Sequence, residues 1–211
     1  MDQTPTSRTY DGLTQAYEHF NRALFGGRLP PCLITMQRKN KTYGYFAGGR
    51  FGTRDGQEIT DEIALNPSHF SARTVEESLA TLVHEMTHLE QHHHGKPSRV
   101  GYHNKEWAGL MRRVGLIPSD TGAPGGKQTG QHMTHYIEPG GRFDQACAAL
   151  IGGGFTLPYV ELWGEQDGRK AAKKAASKTK YGPNERNARK VRVSGQKWNI
   201  RRPCAFALAL P

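Results

Sequence analysis

The chain has 211 residues, 36% of them hydrophobic, and carries 29 Lys+Arg against 19 Asp+Glu for a net charge of +10. That length suits one domain plus an appendage, at about 100–200 residues per domain. No apolar run approaches the roughly 18 residues that span a bilayer, and the polar start MDQTPTSRTY lacks a signal-peptide pattern. The expectation is a soluble, cytoplasmic protein with no membrane partner. Cys32, Cys147 and Cys204 are scattered with no C-x-x-C pair, which argues against a disulfide framework and a cysteine-based zinc finger. A metal site must then be built from histidine and carboxylate.

The elements follow in chain order, with no internal repeat. Leu13, Tyr17, Phe20 and Leu24 recur at helical spacing within residues 9–24. Gly26–Gly27 and Pro30–Pro31 end that helix. Residues 32–39 and 58–66 read as strands, and residues 42–51, broken by glycine, as a strand at a sheet edge. Thr74 and Glu77 form a T-x-x-E capping box. The helix they open carries Val75, Leu79, Leu82, Met86 and Leu89 as an apolar stripe and stops at Gly95 and Pro97. A shorter helix over 103–114 places Trp107, Leu110, Met111 and Val114 on one face, with Gly115 as C-cap. Residues 119–131 read as loop, HMTHYIE as a strand and FDQACAALIG as a last helix.

Charge is unevenly placed. Residues 1–163 hold 16 basic and 16 acidic side chains, so the whole excess lies in residues 164–211, with 13 basic and 3 acidic. That asymmetry points to a polyanion, nucleic acid above all, bound through basic residues 169–202; a solvated tail is the plainer reading. Tyr181 and Trp198, set among Lys and Arg, are candidates for stacking on bases.

Residues 84–88 read His-Glu-Met-Thr-His. Helix positions four apart share a face, so His84 and His88 can aim at one ion, with Glu85 placed to act as base on a water. Zn2+ is the expected cofactor. Catalytic zinc usually takes three protein ligands and keeps one position open, and His92, His93, His94 and His103 lie downstream. His94 sits where the longer H-E-x-x-H-x-x-G-x-x-H pattern puts its third histidine. Gln91 replaces the glycine that lets the chain reverse there, which leaves His94 on a continuing helix. His103, after Gly95, Pro97 and Gly101, opens the next helix and is the better third ligand. His132 and His135 are candidates for the cleft wall or for solvated or core positions. Tyr43, Tyr45 and Tyr136 are candidates for hydrogen-bonding an oxyanion or substrate backbone.

The block HEMTH followed by GYHNKEWAGLM resembles the SprT-like (Spartan-type) zinc metalloproteases, as do FNRALFGGRLP and EIALNP upstream. The resemblance covers roughly residues 10–163. It implies an α+β, zincin-like domain over 1–163: a small mixed sheet, the active-site helix packed on it, and a cleft alongside an edge strand. It implies His84, His88 and His103 as zinc ligands, Glu85 as catalytic base, and DNA-bound or DNA-crosslinked proteins as substrates, with nucleoid association in a bacterium or phage. Residues 164–211 resemble a zinc ribbon that has lost its opening cysteines, leaving a basic, poorly ordered tail. The rival expectation is a non-proteolytic nucleic-acid-binding protein with a structural or vestigial zinc site.

Overall fold

The computed structural model describes residues 3–162, 190–193 and 196–199. The chain divides into two units, Met1–Glu165 and Gln166–Pro211. The first is α+β.

Helix α1 spans Pro5–Phe25. It starts four residues before the expected Thr9 because Thr4 accepts the Ser7 N–H and Pro5 fits the first helical position. Gly26, in the left-handed region, ends it. Asn21 fixes the turn beyond: its side chain receives the Leu29 N–H at 3.1 Å and donates to the Leu29 carbonyl at 3.0 Å. Leu13, Tyr17, Phe20 and Leu24 are all buried, and Phe20 stacks on Phe143 with centroids 5.5 Å apart.

Strands β1 (Leu33–Met36), β2 (Gly44–Gly52) and β3 (Ile59–Leu65) form a mixed sheet in the order β1-β3-β2. β3 is central, parallel to β1 and antiparallel to β2. The glycine-broken strand therefore lies at an edge, and its register shifts between Ala47 and Phe51. A 3-10 helix, Pro67–Ala72, follows β3, capped by Asn66.

Helix α2 (Val75–His94) packs on the sheet. Its capping box is complete, with Thr74 and Glu77 each accepting the other's backbone N–H. The expected apolar stripe understates its burial. From Ser78 to Gln91 every residue except His88 is buried, because β2 and β3 cover one side while α1 and α3 cover the others. Polar residues within that stretch thus need partners. Glu90, only 1% exposed, is held by Arg28 and Arg113 and ties α2 to the α1–β1 turn and to α3.

Helix α3 (Lys105–Val114) begins two residues later than expected, because Asn104 caps it by accepting the Trp107 N–H at 2.9 Å. Gly115 closes it in the left-handed region, where a β-carbon would lie 2.8 Å from the backbone nitrogens of Arg142 and Phe143. Strand β4 (Leu116–Ser119), not expected from sequence, pairs antiparallel with β5 (Thr134–Ile137), placing Pro118 opposite His135. Helix α4 (Arg142–Gly152) completes this unit. In the second unit, β6 (Lys190–Val193) and β7 (Gln196–Asn199) pair antiparallel, Lys190 opposite Asn199. The rest of the expected basic tail, Tyr181 and Cys204 included, lies outside the described residues, as does the side chain of Trp198. No helix among the described residues is long and apolar enough to cross a membrane.

Candidate metal centre and cleft

Two consecutive turns of α2 place His84 and His88 on one face. The chain then reverses through residues 95–104 and returns His103 to the same place. Gln91, at the position where the longer motif has glycine, builds that reversal. Its amide donates to Asn104 at 2.9 Å and to Glu106 at 2.6 Å, and Glu106 accepts the Lys96 N–H at 2.8 Å. His103 does not open α3. It sits just before the cap and makes a two-way backbone bridge with Gly130.

His84, His88 and His103 each present a ring nitrogen within 4.8 Å of the others, a set that could hold a metal ion. Trp107, fully buried, forms the floor beneath all three. It stacks on His88 at 5.3 Å and meets His103 edge-on at 4.3 Å, with His84 at 5.0 Å. His103 Nδ1 lies 3.1 Å from the Gly130 carbonyl. A carbonyl can only accept, so Nδ1 carries the proton and Nε2 keeps a free lone pair. Burial pushes the His88 pKa down to about 3, helped by His103, and drives His84 well below its ordinary value. His103 is lowered as well, by burial, against the opposing pull of the Gly130 carbonyl. The three rings are thus neutral at pH 7, the state in which imidazole binds a metal.

Glu85 is 6% exposed and points to the same cleft. Burial raises its pKa to about 8, with Lys39 and the Phe46 backbone N–H pulling the other way. Gly44 of β2 makes this approach feasible. A β-carbon there would stand 2.8 Å from the Ala64 carbonyl, 3.0 Å from Thr81 and 3.3 Å from Glu85 Oε1. The cleft has a volume of about 890 Å3 and runs between β2 and the segments carrying His103 and His135.

Tyr43, Tyr45 and the exposed His132 line the cleft. Tyr136 does not, since it alternates with His135 along β5 and faces the other way. His135 is more closely involved than its sequence context suggests: its Nδ1 lies 3.0 Å from Nδ1 of His84. Burial, with Arg73 nearby, lowers its pKa to about 4. Two neutral imidazoles at that distance share one proton-bearing nitrogen. With His84 as donor, Nε2 of His84 is left free to face an ion. His94 stands apart, exposed at the helix end with Nε2 3.3 Å from the Arg28 carbonyl.

The sequence profile of the SprT-like family matches residues 13–128, a span that takes in β1–β3, α2, α3 and the three clustered histidines. The chain belongs to the SprT-like family. A Salmonella typhimurium protein, described as an uncharacterized protein in the mucB 3′ region, is 52% identical over 59 residues. The match covers 28% of this chain and 80% of that protein. No solved structure matches. Membership of the SprT-like family is compatible with a metalloprotease, and the histidine cluster could supply its metal site.

Proposed function

We propose that the chain is a zinc-dependent endopeptidase that cuts DNA-associated or DNA-crosslinked proteins. The observation that carries the reading is the convergence of His84, His88 and His103 beside the buried Glu85, in a cleft walled by an edge strand. Three neutral imidazoles with one side open to the cleft match the donor set of catalytic zinc. When bound, zinc supplies a Lewis acid that polarises a carbonyl and lets water ionise near pH 7.

The chain's own residues do the rest. His84, His88 and His103 hold the ion, Trp107 fixes their rings, and Gly130 and His135 select the tautomers of His103 and His84. The charge of an ion held beside it would offset the burial that raises the Glu85 pKa, leaving its carboxylate ionised to take the proton of the attacking water and pass it to the leaving amine. An extended substrate pairs with the edge of β2 through its main chain, which favours tolerance of sequence. β2 keeps one register over Gly44–Ala47 and shifts before Phe51, so Gly44–Ala47 is the regular stretch of edge beside the cleft. Tyr43 and Tyr45 line that wall.

The DNA part of the reading rests on family likeness and on the charge of residues 164–211, which hold 13 basic and 3 acidic side chains. That same charge favours the second reading, a nucleic-acid-binding protein with a structural zinc site and no proteolysis. Glu85→Gln decides between them. Cleavage of a DNA-bound protein by the zinc-loaded wild type, lost by about 10²-fold or more in the variant, supports the peptidase, since a positioned base contributes about 10²–10⁴-fold. Equal activity removes Glu85 from its role. Salt-sensitive DNA binding with no proteolysis in either leaves the second reading.

A further inference from the structure

One helical turn beyond His88, the same helix carries a second set of donors that the peptidase reading does not use. His92 and His93 lie in the last turn of α2, and Asp61 comes from the central strand β3. A ligand atom of each lies within 4.8 Å of those of the other two. Asp61 is 7% exposed and already tied at both oxygens. Oδ1 accepts the Gly49 N–H at 2.7 Å, and Oδ2 stands 2.6 Å from Nε2 of His93. Burial opposes ionisation of this carboxyl, but the hydrogen bonds from His93 and Gly49 outweigh it and hold the pKa below the ordinary value.

The backbone of β2 is shaped around the same residues. The His92 ring lies against Gly48, where a β-carbon would stand 2.7 Å from Cε1 and 2.8 Å from Nε2. Only a residue without a side chain leaves room for the ring. Phe46 borders it with centroids 5.4 Å apart, and His92 and His93 meet edge-to-face at 5.0 Å. Two histidine rings, one of them seated in a glycine gap, and an almost buried carboxylate therefore converge from two elements.

We infer that Asp61, His92 and His93 form a second divalent-metal site, distinct from the histidine cluster at His84, His88 and His103. Two imidazoles and one carboxylate suit borderline transition ions such as Zn2+ or Ni2+ and disfavour Ca2+ and Mg2+, which prefer all-oxygen sets. The site is more solvent-exposed than the first, because His92 and His93 stand at the surface, and it binds more weakly. An ion there takes the place of the proton between His93 and Asp61. It clips the end of α2 to Asp61 of β3, whose other oxygen holds the Gly49 N–H where β2 changes register.

The test is equilibrium dialysis of the full chain against a buffered series of free Zn2+, comparing wild type with Asp61→Asn and His93→Ala. Two ions per chain are expected in the wild type, one tight and one weak. Only the weak one should be lost in either variant, so that retention of the tight ion reports an intact fold. Should Asp61→Asn also lose the tight ion, the His93→Ala result decides, since that side chain is 37% exposed. One ion in the wild type, or a second ion unchanged in His93→Ala, overturns the site. This outcome is separate from that of the peptidase reading, which fails through absence of the tight ion or of proteolysis.

Discussion

The two histidine groups of α2 share a helix and differ in everything around it. His84 and His88 lie mid-helix, where the sheet and α3 close over them, and Trp107, Gly130 and His135 fix their rings and that of His103. His92 and His93 lie in the last turn, facing water, with Asp61 as the one buried member. Burial of the first group keeps its imidazoles neutral and their nitrogens aimed before an ion arrives. The second must order exposed side chains on binding. Histidines of one helix thus make a strong site or a weak one according to what surrounds them.

The largest effect is expected from removing the floor beneath the first group. Trp107→Ala should cost about 3–5 kcal/mol of stability, the usual range for emptying a buried tryptophan site. It should also weaken metal binding at the first group while sparing the second. Thermal or urea unfolding alongside zinc titration reads both, and Trp107→Phe should recover most of each. Gly44→Ala comes next. Its β-carbon meets the Ala64 carbonyl of β3 at 2.8 Å and, on α2, Thr81 at 3.0 Å and Glu85 Oε1 at 3.3 Å, so β2 must shift from both at about 1–3 kcal/mol, the common cost of overpacking. Peptidase activity should fall further than stability alone explains, because the shift moves the cleft wall away from Glu85.

A smaller effect isolates the outer partner. His135→Ala should weaken zinc affinity about 10–100-fold without unfolding the chain, and His135→Gln, which keeps an acceptor, should restore part of it. Equal affinity in all three would leave His135 a bystander. The smallest effect expected is at the start of α2. Thr74→Ala removes half of the capping box and should cost about 1 kcal/mol, with zinc affinity unchanged because the cap is distant from the metal group in sequence and helix turns.

What the sequence made legible was local. The capping box at Thr74, the left-handed cap at Gly115 and the helical spacing of His84 and His88 depend on residues a few positions apart, and each is found as read. Gln91 in place of glycine was enough to keep His94 on the helix. The edge position of β2 followed from its glycines, although their reasons did not: Gly44 admits Glu85 and Gly48 admits His92, contacts across 41 and 44 positions of chain. The start of α1 was set by Thr4 and Pro5, which carry no apolar periodicity. β4 escaped because it is four residues long and contains Pro118. His135 meets His84 only through the pairing of β5 with β4, a contact 51 positions apart that leaves no periodic trace.

Whether His84, His88 and His103 hold one tight zinc ion is read from the zinc remaining after dialysis in wild type, His103→Ala and His94→Ala. One tight ion is expected in the wild type, lost in His103→Ala and retained in His94→Ala. Zinc retained without His103 and lost without His94 would contradict that assignment.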